Sequence, residues 1–306
     1  MTKPAIGANA PAHKSDPKPA LLGVACGLGA ALCWALGFVS TRHGLKVGFT
    51  PADLLMHRYV WSGIAFLPLV LRAGIGNLCG IGWGRGLVLM VLGGPVMSII
   101  SYTGFLFVPL GHGSVIQPSC ATLGGLFLAA ALLKERISFS RVFGAVVIVG
   151  GLAVIGAESI GHIGPDGVLG DLIFVLTGLM FAVFGTLLRH WRVSAFAAAT
   201  VISVVSLSLL PVYAASGGLG RVMALGLGEN ALQAVGQGVL AGPAAMYLFA
   251  FSIQLLGVAR AAVFPAMVPA LTLLVGWLLL GEPPTALQAT GLVLVLSGFY
   301  LAQRQR

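Results

Sequence analysis

Residues 114–151 read SVIQPSCATLGGLFLAAALLKERISFSRVFGAVVIVGG, and residues 261–298 read AAVFPAMVPALTLLVGWLLLGEPPTALQATGLVLVLSG. Laid over one another they match at Pro118/Pro265, Glu135/Glu282, Gly144/Gly291 and Gly151/Gly298, each pair 147 apart (265 − 118 = 147). The same offset relates Gly23/Gly170, Ala35/Ala182 and the dipeptides Arg42-His43 and Arg189-His190. Glycine coincidences are cheap in a chain with 44 glycines, but a glutamate pair is not, because the chain has 8 acidic residues. The spacing predicts a duplication: a tail over residues 1–18, rich in Pro, Lys, Ala and Asn, a first copy over 19–158 and a second over 159–303.

Composition sets the environment. Hydrophobic residues make up 58% and charged residues 8%, against roughly 25% charged in a soluble domain, and mean hydropathy is +1.01. Such a chain belongs in lipid. The formal charge of +9 comes from single basic residues in short loops and at the termini, a pattern of topology determinants with no basic face for nucleic acid. Cys26, Cys33, Cys79 and Cys120 have neither CxxC nor zinc spacing and read as packing residues. No catalytic or nucleotide-binding motif stands out, so neither metal nor cofactor is expected and the chain is not read as an enzyme.

Apolar stretches fall at about 20–41, 52–71, 86–108, 111–133, 138–157, 168–189, 195–215, 230–254, 258–280 and 285–303, each near the length of roughly 20 residues that crosses a bilayer. They run without the alternation of a barrel strand, so the predicted fold is all-α: ten transmembrane helices, five in each copy. An odd number per copy inverts the second relative to the first, the architecture of secondary transporters. The excess of Lys and Arg puts both termini in the cytoplasm. Only Arg42, Lys46 and Arg221 then fall on the outer side.

Pro118 and Pro265 hold equivalent places in spans 4 and 9. Proline frees a carbonyl one turn back, which a membrane tolerates beside a cavity, so these spans are expected to kink around a central cavity and to act as gates. Gly144/Gly151 and Gly291/Gly298 each share a face, as do Gly23/Gly27. They read as close helix contacts, and a homodimer through spans 5 and 10 is the alternative to a monomer. Trp34, Tyr102, Gln117, Ser119, Phe181, Tyr247, Gln254 and Trp277 are candidates for a small-molecule lining, with Trp34 and Phe181 equivalent (181 − 34 = 147). Asp171, His57 and Arg58 lie near span ends, where snorkelling explains them, and any proton coupling would use His57 or Asp171. His112 and Arg260 open spans 4 and 9, as interface anchors or as lures for a substrate carboxylate. Arg58 faces Val205 across the duplication, and Asp171 faces Val24.

The stretch from Tyr102 through Leu110-Gly111, Pro118 and Leu-Leu-Lys-Glu-Arg-Ile-Ser (132–138) to Gly144 and Gly151 resembles the repeat unit of EamA-type drug/metabolite transporters. So do the second copy's Leu-Leu-Leu-Gly-Glu-Pro-Pro (278–284), the run Ala31 to Phe38, and Thr50-Pro51 to Arg58. The resemblance covers about 20–303 and is similar overall to the bacterial aromatic amino-acid exporter branch. It implies a cavity formed by spans 1–4 and 6–9, peripheral spans 5 and 10, alternating access, and a packing role for Glu135 and Glu282. The expected function is export of neutral aromatic or hydrophobic amino acids across a bacterial inner membrane. A multidrug or cationic-compound exporter, a sugar-phosphate or nucleotide-sugar carrier, and a membrane-embedded enzyme acting on lipid intermediates are the alternatives.

Overall fold

The computed structural model describes residues 17–74, 76–133, 138–261 and 263–303; Glu135, with its neighbours Lys134 and Arg136, lies outside them, as do residues 1–16 of the expected tail. The helices are α1 (Pro17–Val47), α2 (Pro51–Ala73), α3 (Trp83–Gly93), α4 (Pro95–Gly104), α5 (Leu110–Leu133), α6 (Phe139–Glu158), α7 (Pro165–Trp191), α8 (Ala195–Val205), α9 (Leu210–Ala215), α10 (Gly218–Ala224), α11 (Leu227–Gln233), α12 (Ala245–Leu256), α13 (Val258–Ala261), α14 (Val263–Leu280) and α15 (Ala286–Gln303). No strand occurs among the described residues. Eight helical stretches are long and apolar enough to cross a membrane: Ala20–Val47, Pro51–Ala73, Trp83–Gly104, Phe139–Glu158, Pro165–Trp191, Ala195–Ala215, Leu227–Leu256 and Val263–Leu280. The 24-residue α5 and 18-residue α15 are further apolar helices. The chain is a multi-pass, all-helical membrane protein.

Three breaks interrupt predicted spans, and proline sits at each. Span 3 divides at Gly94, extended at φ −118° and ψ −142°, so that Pro95 can open α4. Span 7 tightens into a 3-10 turn over Ser206–Leu209 just before Pro211. Span 8 widens into a π-helix over Ala234–Ala244, where Gly242 leaves helical geometry one residue before Pro243. A residue with no N–H cannot continue the hydrogen-bond ladder, and at Gly94 and Gly242 the preceding glycine accommodates the distortion. Pro118 stays inside α5. In α14 Pro265 occupies the first turn and the interior proline is Pro269, which is buried. α1 is longer than expected and begins at Pro17, inside the stretch assigned to the tail.

The glycine faces close the bundle from within. Gly144 and Gly151 of α6 lie on Gly298 and Gly291 of α15. A methyl added at Gly144 would stand 2.5 Å from the Ala302 nitrogen and 2.6 Å from the Gly298 carbonyl, and one at Gly298 would stand 2.7 Å from the Gly144 carbonyl. These faces are therefore consumed inside one chain and are not free to carry the homodimer considered for spans 5 and 10; the contact is intramolecular because each helix supplies the groove that the other's backbone enters. Gly23 and Gly27 of α1 are similarly covered, by Leu256 and by the Phe264 ring.

Because the obstacles at Gly144 are backbone atoms, Gly144→Val forces α6 and α15 apart. Overpacking of this kind costs typically about 1–3 kcal/mol, so the purified variant should unfold at a clearly lower temperature in detergent. Gly150→Val, where a methyl meets nothing within 4 Å, should leave the melting temperature unchanged. Equal behaviour of the two variants would refute this packing.

Candidate functional site

Ion pairs crosslink one end of the bundle, where α1 turns into α2. Arg42 Nε lies 3.1 Å and Lys46 Nζ 2.6 Å from Glu282 Oε1, in the connection between α14 and α15. Arg42 Nη1 also donates to the Phe105 carbonyl at 2.8 Å. His43 Nε2 and Glu229 Oε2 are 2.9 Å apart. Fully buried Asp53 takes Arg221 Nη2 at 2.7 Å and Nε at 3.0 Å, and the Tyr213 hydroxyl donates to it at 2.6 Å. Thr50 and Asp53 also form a capping box that starts α2. Glu282 holds its connection against α1, 240 positions away.

Below these pairs lies a hydrogen-bonded polar core. Gln237 Nε2 donates to the Gly37 carbonyl and to Thr41 Oγ1, both at 2.7 Å, and its Oε1 accepts from Tyr102 at 3.0 Å. One turn earlier Gln233 accepts from Ser40 at 2.9 Å and donates to the Ser40 carbonyl at 3.0 Å. Glycines make the approach possible: a methyl at Gly37 would lie 2.5 Å from Ala241 Cβ, and one at Gly44 would lie 2.8 Å from Gln233 Nε2. Tyr59 and Ser98 share a hydrogen bond of 2.8 Å, and Ser101 donates to Gln117 at 3.1 Å. The Arg58 guanidinium sits against the hydroxyls of Tyr59 and Tyr102. No carboxylate among the described residues pairs with it.

Aromatic rings extend this core along the bundle. Trp34 meets Phe249 edge-on with centroids 5.3 Å apart. Phe181 stacks on Phe184 at 5.4 Å. Phe181 falls three residues after Gly178 and seven after Phe174, both buried, so it stands on the packed face of α7. Yet it is 44% exposed, and a methyl at Gly185, one turn on, would meet nothing within 4 Å. An exposed ring on a packed face marks an opening in the bundle. Trp34 precedes Arg42 by eight residues and Phe181 follows Asp171 by ten. At 1.5 Å per residue, the two rings lie roughly 12 and 15 Å from the crosslinked end, about half of a 30 Å hydrocarbon core.

Of the residues singled out in the sequence, Tyr102 and Gln117 enter the polar core, and Trp34 and Phe181 stand on inward faces. The others lie elsewhere. Ser119 is fully buried and spends its hydroxyl on the Val115 carbonyl at 2.7 Å. Tyr247, 64% exposed, is on the face of α12 opposite buried Ala245 and Ser252, stacked on Phe251 beside an apolar groove of about 400 Å³. Trp277, 53% exposed, shares its side of α14 with exposed Leu274 and Leu278, and Gln254 is exposed as well. His57 does not snorkel: it is buried, bonded to Asn230 at 3.0 Å and to the Trp61 indole at 3.2 Å. His112 is fully buried and already held by protein carboxylates, Asp171 at 2.8 Å foremost. Arg260 is exposed in short α13. Sequence reading missed Gln233 and Gln237. Their four-residue spacing puts both amides on one face of an otherwise apolar helix, a signal that was available.

The sequence profile of the EamA-like transporter family matches this chain twice, over residues 21–157 and 168–303, with starts 147 apart (168 − 21 = 147). The chain belongs to the EamA-like transporter family. Two curated relatives carry the same kind of name. An uncharacterized transporter of Archaeoglobus fulgidus is 25% identical over 284 residues, 89% of this chain and 95% of that protein. The uncharacterized transporter YdfC of Bacillus subtilis is 24% identical over 280 residues, 87% of this chain and 85% of its own. One solved crystal structure shares the fold at a TM-score of 0.59 and 19% identity, covering 94% of this chain and 97% of that one.

In this EamA-like transporter the crosslinked end is sensitive to acid. Burial pushes the Glu282 carboxyl up, but Lys46 and Arg42 outweigh it and hold the group below its ordinary value. A carboxylate whose folded value is the lower one stabilises the fold fully above its unfolded value, about 4.3, and loses that contribution as pH falls through the folded value. Melting temperature in detergent should therefore drop more steeply in wild type than in Glu282→Gln between about pH 6 and pH 3, with the two curves converging at the acid end. Parallel curves would mean that Glu282 contributes no ion-pair stabilisation.

Proposed function

We propose that this membrane transporter exports small neutral metabolites that carry a carboxylate and an apolar body, foremost aromatic or hydrophobic amino acids. The carrying observation is Arg58, an intramembrane cation that sits against tyrosine hydroxyls and pairs with no carboxylate among the described residues. Ionisable groups at membrane depth are costly and retained where they serve a substrate or ion path. A substrate carboxylate supplies the charge that Arg58 lacks, by a charge-assisted bond. Tyr102 and Gln117 flank that anchor, and Trp34 with Phe181 forms the walls for the apolar body. A cationic drug would meet a repulsive site, and a sugar phosphate would call for more than one such cation. Neither the polar core nor the aromatic walls need a cofactor or a metal, and no catalytic step is assigned.

In this reading the architecture is ten helices in two inverted five-helix repeats, 19–158 and 159–303, in a bacterial inner membrane with both termini cytoplasmic. The crosslinked end then faces outward, and the opening beside Phe181 belongs to an inward-open form of an alternating-access cycle. α5 and α14 carry the gates, with Pro118 and Pro265 as their bending points. The lateral outer faces lie against lipid.

Counterflow in proteoliposomes tests the reading against a panel of phenylalanine, tryptophan, 2-phenylethylamine, a phosphorylated sugar and a cationic dye. Phenylalanine and tryptophan should exchange, and 2-phenylethylamine, which lacks the carboxylate, should not. Losing a charged hydrogen bond worth about 1.5–3 kcal/mol means that Arg58→Gln should weaken phenylalanine binding roughly ten- to hundred-fold, with Arg58→Lys intermediate. Trp34→Ala should weaken phenylalanine more than a small aliphatic amino acid. Exchange of the dye without any of phenylalanine or tryptophan would overturn the substrate assignment. Pro118→Ala and Pro265→Ala should slow exchange while leaving binding in place.

A further inference from the structure

The two ends of the bundle differ in charge. The carboxylates among the described residues, Asp53, Glu158, Asp166, Asp171, Glu229 and Glu282, belong to the crosslinked end or to the helix ends beside it. α2 runs from that end to the other, where it finishes with Arg72 in its last turn. α7 does the same and finishes with Trp191, followed by Arg192. Arg72 and Arg192 are both exposed, and neither pairs with a carboxylate among the described residues. Arg192 holds the left-handed conformation, at φ 56° and ψ 36°, that turns the chain from α7 toward α8, a position where glycine is the usual choice. Beside it the Arg85 guanidinium lies 5.5 Å from the centre of the Trp191 ring, so α3 brings a further cation to the same end.

Between these cations and the middle of the bundle runs the apolar groove of about 400 Å³. Its walls include Phe66 and Leu69 of α2, Phe196 of α8, Val239 and Pro243 of the π-helix, and Tyr247 of α12. Phe66 and Phe196 meet edge-on at 5.7 Å, which sets the last turns of α2 level with the first turn of α8. Arg192 stands four residues before Phe196. Ala65, Leu69 and Arg72 follow one another at i, i+4 and i+7, a single stripe of α2, so Arg72 stands at the end of the wall that Ala65 and Leu69 provide. The groove starts at Leu69, roughly 6 Å inside the end of α2, and reaches Tyr247, roughly 14 Å inside the end of α12. α12 ends on the same side as α2, since Leu256 lies on Gly23 near the start of α1. One leaflet of a bilayer whose hydrocarbon core is roughly 30 Å thick has about that depth.

We propose that the groove between α2, α8 and α12 holds one anionic diacyl phospholipid, with an acyl chain seated between Phe66, Phe196 and Tyr247 and the phosphate bound by Arg72 and Arg192. An apolar channel one leaflet deep with arginines at its mouth has the polarity of such a lipid. The phosphodiester offers one negative charge on two free oxygens, and guanidinium N–H groups match them. A zwitterionic headgroup adds a cation that the same arginines repel. Because Val239 and Pro243 belong to the seat, the bound chain braces the π-helix that carries Gln237. The site does not depend on what the protein transports.

Native mass spectrometry and melting in detergent test the site, using phosphatidylglycerol and phosphatidylcholine of identical acyl chains and, as the headgroup alone, glycerol 3-phosphate. Wild type should retain phosphatidylglycerol under activation that strips phosphatidylcholine. Phosphatidylglycerol should raise the melting temperature, and glycerol 3-phosphate should not. Arg72→Gln and Arg192→Gln should each weaken phosphatidylglycerol binding roughly five-fold, with an unchanged melting temperature in the absence of lipid. Leu69→Trp fills the groove without altering charge and should remove the selective binding as well; if it does not fold, Ala65→Leu, on the same stripe, takes its place. Equal retention of the two lipids, selectivity that survives both arginine replacements together, or selectivity that survives the groove-filling variant overturns the proposal. Protection by glycerol 3-phosphate equal to that by the lipid would mark a site for free phosphate and overturns it too.

Discussion

A charge inside a bilayer must find a partner, and this constraint organises the molecule. Asp53, Glu158, Asp171, Glu229 and Glu282 each meet a basic or imidazole group on another element. Three basic residues are among those partners: Arg42 and Lys46 share Glu282, and Arg221 takes Asp53. Pairing offsets the cost of placing these charges near the helix ends, and it clamps those ends in the same stroke. Each carboxylate in the clamp is thus a topology residue and a tertiary contact at once.

Arg58 differs from these groups: no carboxylate among the described residues pairs with it. Tyrosine hydroxyls lend it partial negative charge but not a full one. The surrounding amides do not compensate, because Gln237 and Gln233 are spent on the α1 backbone and on Tyr102 or Ser40. Those two glutamines fix the shape of the core, and they do so only because Gly37 and Gly44 let the π-helix approach α1. The amides around Arg58 are thus satisfied within the protein, which fixes the frame of the polar core.

The fold was largely legible, because its signals are local or periodic. Apolar length marks the spans, the 147-residue echo marks the copies, and seven-residue glycine spacing marks the α6–α15 faces. Helix breaks were less legible, since a proline such as Pro118 stays within its helix whereas Pro95, Pro211 and Pro243 divide theirs, and only the glycine context at Gly94 and Gly242 hints at two of the three. Site residues were legible in part. Tyr102 and Gln117 stood out as polar groups in apolar runs. Their partners lie up to 135 positions away, and the Arg42–Glu282 pair spans 240. No periodicity encodes such pairings. Aromatic residues misled for a related reason: Tyr247 and Trp277 have the composition of a cavity wall but the helical phase of an outer face.

The points where the two copies differ converge in space. Arg58 faces Val205 in the other copy, and Asp171 faces Val24. In the structure Arg58 touches Tyr102, whose neighbour Ser101 donates to Gln117, while Asp171 holds His112. Both asymmetric residues therefore act on α5, at positions five residues apart. Among the described residues no pair of this kind reaches α14, which carries Pro269 in its interior. α5 thus carries the His112–Asp171 contact at its start and the Ser101–Gln117 contact five residues on. Both contacts bear on the stretch of α5 between Gly111 and Gln117.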